Sequence, residues 1–371
     1  MQMTVGNASR IAPRPGVLDI APYVVGGAKI EGAERVVKLS ANENPWGPSP
    51  KAAAAYREAA GRLADYPSAD SAALREAIGE VHEVDPARIV CGNGSDELLQ
   101  LLAYGYLRDG EEVVHSRHAF LLYPSYALMN GATPVAAPER NLTADVDAML
   151  AACTERTRLV FLANPNNPTG TRLNAQEVAR LADGIPDQAI LVVDAAYAEF
   201  VDAEDYDGGL SLALRRDNVV MTRTFSKIYG LAALRVGWMV APEPIVDVMH
   251  RIRGPYNVNA AAQAAAIAAM RDVDHTAWCK AETLRLRARL AADLAAAGVP
   301  TTPSEGNFLL AEFGEDEATG AAAADAFLKS KGIIVRPMGG YGLPGHLRIS
   351  IGDDAGCRAA AEAIAAFRGA A

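Results

Sequence analysis

Residues 158–170 read Arg158-Leu-Val-Phe-Leu-Ala-Asn-Pro-Asn-Asn-Pro-Thr-Gly170, and a second apolar run, Ala189-Ile-Leu-Val-Val-Asp194, follows 19 residues later. Each run is short, apolar and bounded by polar or turn residues, which predicts a buried strand. Between them, Asn174 with Glu177 three residues on predicts a capping box that opens a helix over 175–183. Strand, loop, helix, strand is the repeating unit of an α/β domain with a mostly parallel sheet. The same alternation extends outward from this core. Strands are predicted at 88–91, 112–115 and 133–137 on one side and at 218–223 and 236–240 on the other, with helices at 97–107 and 146–152.

The pattern changes near residue 242. Helices are predicted at 244–253, 260–270 and 276–297, then a strand at 307–313, a helix at 318–331, strands at 333–337 and 347–351, and a last helix over 354–368. This reads as a smaller α+β unit. The expected division is an N-terminal arm, 1–45, that joins the small domain, a large domain over 46–255, and the small C-terminal domain over 256–371.

The chain has 371 residues, and 35 Lys and Arg against 45 Asp and Glu leave a net charge of −10. At about 150 residues per domain this length suggests two domains. Half of the residues are hydrophobic and 22% are charged, which excludes a disordered chain. The acidity gives no bulk attraction for nucleic acid or anionic lipid. No apolar run reaches the ~18 residues of a membrane span, and residues 1–14 lack the apolar stretch of a signal peptide. Cys91, Cys153, Cys279 and Cys357 are widely spaced, so neither a disulfide framework nor a metal site is signalled. The expectation is a soluble cytoplasmic protein.

Four segments carry chemistry. In Cys91-Gly-Asn-Gly-Ser-Asp-Glu97 a strand ends, glycines turn and a helix begins. Its first N–H groups suit a phosphate, or Asp96 and Glu97 complement the helix dipole. Asn164-Pro-Asn-Asn-Pro-Thr-Gly170 is a constrained loop at a strand's C-terminal end, where open α/β sheets bind ligands; the alternative is a tight turn. Asp194 ends an apolar strand, so its carboxylate is expected to be buried with a cationic partner or to serve as a plain hydrogen-bond acceptor. Lys227, in Thr222-Arg-Thr-Phe-Ser-Lys-Ile-Tyr-Gly-Leu-Ala-Ala-Leu-Arg-Val-Gly-Trp238, is a candidate amine nucleophile if desolvated; taken alone, it would be a solvated surface lysine.

Together and in this order, these segments resemble the fold-type I aminotransferases that use pyridoxal 5′-phosphate, most closely the histidinol-phosphate aminotransferase family. The resemblance runs from Leu39-Ser-Ala-Asn-Glu-Asn-Pro-Trp-Gly-Pro-Ser49 to Leu347-Arg-Ile-Ser-Ile-Gly352. It implies a large domain with a mostly parallel seven-stranded sheet and a small α+β domain. It also implies Lys227 as the Schiff-base lysine and proton shuttle, with Asp194 pairing the cofactor's pyridine nitrogen. Asn167 and Tyr197 would bond the phenolic oxygen. Gly94, Ser95, Asp96, Thr224, Ser226 and Arg235 would cradle the phosphate, where an Arg fork meets two oxygens at once. Phe120 or Tyr123, in His118-Ala-Phe-Leu-Leu-Tyr-Pro124, would stack on the ring, or either would belong to the core. Tyr66, in Asp65-Tyr-Pro67, matches a tyrosine lent by the neighbouring subunit of a homodimer. Arg336 and Arg348 match anion-binding positions for the substrates, and Tyr23 and Asn257 match positions lining their pocket; Tyr23 could equally pack the arm. Ala195 departs from the family, which usually has an acidic residue there.

The implied reaction is transamination between histidinol phosphate and 2-oxoglutarate in histidine biosynthesis, by a ping-pong route. The nearest alternative is an aromatic amino-acid aminotransferase, which shares every cofactor residue. A decarboxylase similar to those acting on threonine phosphate is a further alternative. A transcription regulator with an aminotransferase-like domain would need a DNA-binding module that the ~40 residues before Leu39 are too few to supply.

Overall fold

The computed structural model describes residues 13–22, 27, 30 and 36–370. All seven strands expected in the middle of the chain form, and they make one seven-stranded sheet. Its order is Ile89–Gly92, Gly237–Val240, Val219–Thr224, Ile190–Asp194, Thr157–Ala163, Glu112–Ser116, Thr133–Ala137. Pairings are parallel except along Gly237–Val240, which runs antiparallel to both of its neighbours. Ile190–Asp194 lies in the centre, every residue buried, so its C-terminal Asp194 is delivered to the middle of the sheet's edge. The capping box forms as expected: the Asn174 side chain accepts from Glu177 N, and the Glu177 carboxylate accepts from Asn174 N.

Helices cover both faces, one apolar cluster running from Ala52 and Leu74 to Phe225 and Trp238, the other from Leu98 and Tyr123 to Phe161 and Met249. A third cluster gathers Leu286, Leu290 and Leu294 of the long helix Val273–Ala296 with Leu309, Leu347 and Ile364. That cluster is the core of the C-terminal unit, whose sheet has the order Phe308–Glu312, His346–Ser350, Arg336–Pro337. Val37–Lys38 joins this unit by pairing in parallel with Ile333–Ile334, whereas Val17–Asp19 and Arg14 lie against helix Leu122–Met129 of the large unit, with Arg14 Nη2 donating to Met129 O. No helix among the described residues is long and apolar enough to cross a membrane.

Two expectations need correction. Ile333–Pro337 reads as one strand but forms two short ones that serve different sheets, Ile334 opposite Lys38 and Arg336 opposite Arg348. Helix Ala260–Arg271 was assigned to the small domain, yet Ala262, Ala265, Ala266 and Ala269 pack into the large sheet's core with Ala52, Leu74 and Ile78. Alanines on one face let this helix sit close against Pro50–Ala59 and Ala72–His82, two helices that were not among those expected. The first of them had a legible start, since Ser49 caps it and Pro50 takes its first position.

The two units meet at the loop 164–170. Gly170 has φ +77°, and a Cβ there would lie 2.3 Å from Ser304 Oγ, while Glu305 N donates to Gly170 O at 2.8 Å. Gly170→Ala therefore meets both a left-handed backbone and a filled space. We expect a loss of about 2–4 kcal/mol in urea unfolding. A loss below about 0.5 kcal/mol would show that the contact yields freely.

Candidate active site

The C-terminal ends of the central strands open into a cavity of about 320 Å³. One end of it joins a helix N-terminus to a guanidinium. Strand Ile89–Gly92 ends, the chain turns at Gly94 with φ +86°, and helix Ser95–Tyr106 begins. A Cβ on Gly94 would lie 2.5 Å from Arg235 Nη2, so only glycine lets the guanidinium approach the turn. Arg235 Nη1 donates to Ser226 Oγ at 3.1 Å and Nη2 to Asp96 Oδ2 at 3.1 Å. Ser226 N donates to Thr224 Oγ1 at 3.1 Å. Glu97 fills the other role foreseen for this helix start, its carboxylate accepting from Asn93 N at 2.6 Å.

Asp194 lies on the cavity floor. Its Oδ2 accepts from Tyr123 OH at 2.8 Å and its Oδ1 from Thr222 Oγ1 at 3.2 Å. Both partners are hydroxyls, so the expected cation is not supplied by the side chains it bonds. Burial pushes the carboxyl up to about 6, and the bonds from Tyr123 and Thr222 oppose the rise. Tyr123 is fully buried and stacks on Phe161 at 4.6 Å. Of the two aromatics left open by the sequence, Phe120 lines the cavity and Tyr123 supports Asp194 from beneath.

Lys227 projects into the same space. Its Nζ donates to Ala41 O at 3.4 Å and lies 5.7 Å from the Tyr197 ring centroid. Burial, reinforced by the Arg348 guanidinium, brings its ammonium down to about 8. Tyr197 OH accepts from Asn42 Nδ2 at 3.0 Å. Arg348 is buried, donating from Nη2 to Ser40 O at 2.9 Å and from Nη1 to Asn167 Oδ1. Arg336 lines the cavity beside it.

The cavity thus gathers Ser95, Asp96, Phe120, Asn167, Asp194, Tyr197, Thr224, Ser226, Lys227, Arg235, Arg336 and Arg348. Asn257 is not brought to it. Its Nδ2 donates to Glu97 Oε2 at 2.7 Å and to Cys91 O at 3.2 Å, so it braces the phosphate-type turn from behind. Tyr66 is also elsewhere, 81% exposed and stacked on Tyr256 with centroids 4.6 Å apart. Tyr23 lies outside the described residues.

The sequence reading missed Asn42, Thr222, Lys38, Ser40, Ala41 and Tyr341, of which all but Asn42 and Thr222 line the cavity. Asn42 had a signal within Asn42-Glu-Asn-Pro45. Its φ of +54° is tolerated by Asn better than by most residues. Its amide is held on Ser350, with Asn42 N donating to Ser350 Oγ at 2.8 Å and Ser350 Oγ to Asn42 Oδ1 at 2.9 Å.

With this geometry in hand, known proteins provide a comparison. The profile of the family described as aminotransferase class I and II matches residues 34–364. A histidinol-phosphate aminotransferase of Dinoroseobacter shibae is 54% identical over 360 residues, covering 97% of this chain and 99% of that protein. One from Paracoccus denitrificans is 54% identical over 361 residues, 97% of each chain. The crystal structure of histidinol-phosphate aminotransferase from Sinorhizobium meliloti in complex with pyridoxal 5′-phosphate superposes with a TM-score of 0.88 at 29% identity, covering 99% of this chain and 100% of that one. The chain belongs to the class I and II aminotransferases.

Proposed function

We propose that this chain is a histidinol-phosphate:2-oxoglutarate aminotransferase of histidine biosynthesis, with pyridoxal 5′-phosphate as its cofactor. The observation that carries the reading is one cavity holding a desolvated amine, Lys227, opposite a buried carboxylate, Asp194, whose bonded partners are hydroxyls. The residues fit the cofactor at three points. Arg235, Ser226, Thr224 and the Gly94–Asp96 turn would cradle its phosphate, Asp194 would offer a carboxylate to a protonated ring nitrogen, and Asn167 and Tyr197 would hydrogen-bond its phenolic oxygen. Phe120 is the aromatic beside its ring. Bound there, the cofactor supplies the electron sink that makes a substrate Cα–H acidic.

The protein's own groups do the rest. Asp194 holds the ring nitrogen's proton in place. Lys227 Nζ, with a pKa near the working pH, takes the proton at the substrate Cα and gives it up again. Arg336 and Arg348 bind the anionic groups of the amine donor and of the 2-oxo acid in turn. The smaller lobe that carries both arginines is drawn from both ends of the chain, residues 36–45 and the segment after Arg271, against a cofactor lobe over 46–255. Helix Ala260–Arg271, however, packs on the cofactor lobe. The enzyme acts in the cytoplasm as a homodimer, in which the exposed Tyr66 reaches the partner's phosphate cradle.

Three measurements test these assignments. Labelling of the cofactor-free protein by an acylating reagent should show Lys227 reacting with a midpoint near pH 8, and Arg348→Met should raise that midpoint. A midpoint near the 10.5 of an ordinary lysine would exclude a desolvated amine. Next, histidinol phosphate, Phe, Tyr and threonine phosphate are each added to the loaded enzyme without acceptor while the visible absorbance is followed. Histidinol phosphate should change the spectrum; a response to Phe and Tyr alone would reassign the enzyme to aromatic amino acids. Finally, a heterodimer of Lys227→Ala and Tyr66→Phe subunits tests the shared site. One of its two sites is then wholly native, so it should approach half of the native dimer's activity. If Tyr66 served its own subunit, no heterodimer site would exceed the Tyr66→Phe level.

A further inference from the structure

Lys38 stands between two cavities. Strand Val37–Lys38 pairs with Ile333–Ile334, which sets Lys38 opposite Ile334, two residues before Arg336, and Arg336 is itself opposite Arg348. All three cations line the active-site cavity. Lys38 also lines an adjoining cleft of about 380 Å³ together with Glu43, which the first cavity does not include. There its Nζ is paired with Glu43 Oε1 at 2.7 Å, the two side chains being 34% and 48% exposed.

We propose that Lys38 is a specificity-determining residue that leaves Glu43 to bind the phosphate of the phosphate-bearing substrate, and stays on Glu43 when a dicarboxylate occupies the site. The inference rests on the reading that Arg336 and Arg348 receive substrate anions, and it adds what those two cannot supply. Arg348 is buried with Nη2 committed to Ser40 O and Nη1 to Asn167 Oδ1, so its capacity for a further anion is restricted. A phosphomonoester carries roughly −1.5 to −2 charges near pH 7, against −1 for a carboxylate. The larger charge asks for a further cation in a chain whose net charge is −10.

Lys38 is suited to the exchange. Its ion pair is exposed and therefore worth little, so giving it up costs little. Its four-carbon stem is flexible, and its ammonium is a point charge without the directional demands of a guanidinium. Two substrates must share one cavity, and a cation that engages only the phosphate, the single group with the larger charge, serves both turnovers. A third fixed arginine would bind both anions more tightly and slow the release of the dicarboxylate product.

The test uses the loaded enzyme with Lys38→Met, Glu43→Gln and Arg336→Met, and measures kcat and KM for histidinol phosphate and for 2-oxoglutarate. Inhibition constants for inorganic phosphate and succinate serve as probes that undergo no chemistry. Lys38→Met should raise the KM for histidinol phosphate and the Ki for phosphate about tenfold. The ratio of these to the 2-oxoglutarate and succinate constants should rise by the same factor. Glu43→Gln should move the phosphate constants the opposite way by freeing the lysine. Equal losses for both anion classes in Lys38→Met, or no loss, would overturn the proposal. Arg336→Met separates the two levels of the inference. If it raises the KM values while Lys38→Met leaves them alone, only the role of Lys38 fails. If neither variant moves any constant, the placement of substrate anions at this end of the cavity fails as well.

Discussion

A carboxylate at the end of a fully buried central strand is costly unless something compensates it, and Asp194 is such a group. Two hydroxyls hold its oxygens in place without cancelling its charge. The site is therefore organised around an unmet electrostatic demand, which a protonated ring nitrogen can meet and a neutral ligand cannot. Much of the large domain follows from holding that carboxylate still. Tyr123 reaches it from the helix Leu122–Met129 and is itself fixed by stacking on Phe161, which lies on the neighbouring strand Thr157–Ala163. Thr222 reaches it from the strand on the other side, where it is the direct cross-strand partner of Asp194.

The second constraint comes from the segment 38–44, which runs between the two units and contacts both. Leu39 N donates to Ile334 O at 2.7 Å and Ser350 N to Leu39 O at 2.9 Å, which ties the segment to the C-terminal unit. Asn42 Nδ2 meets Tyr197 OH, and Asn44 Nδ2 donates to Ile228 O at 2.6 Å, which ties it to the large domain beside Lys227. The contact of the Lys227 amine, Ala41 O, belongs to this segment too. A shift of the segment would change the surroundings of Lys227, Tyr197 and Arg348 together.

The sequence made the large sheet legible because each of its strands is an apolar run bounded by turn residues, and the helix at 175–184 because its cap is written in Asn174 and Glu177. Pro50–Ala59 was hidden because its alanine-rich face packs without a strong apolar period, whereas Ala72–His82 did carry one, in Leu74, Ala77, Ile78 and Val81, that went unread. Lys227, Asp194, Arg235 and Asn167 were readable through motif order, since each lies within three residues of a glycine, a proline or a strand end. Asn257 was misplaced because a motif position tells which turn a residue belongs to, not on which side of it the side chain lies. Tyr123 and Thr222 could not be assigned to Asp194 at all. Their bonds join residues 71 and 28 positions apart, and only the packing of a helix on the sheet and the pairing of two strands bring them together.

Bulk charge and site charge point in opposite directions, and Arg348 shows why both matter. Within a chain of −10, it stands close enough to Lys227 to help depress the amine's pKa, second only to burial. It also anchors Asn167 and Ser40, so its position is set by the loop after one strand and by the segment that crosses the site. An anion arriving on Arg348 would offset the guanidinium's field at Lys227. Removing a nearby positive field raises an ammonium's pKa, so the amine would become a better proton acceptor with an anion on Arg348. The same arginine would then report occupancy to the base that needs it, through nothing more than Coulomb's law in a poorly solvated cavity.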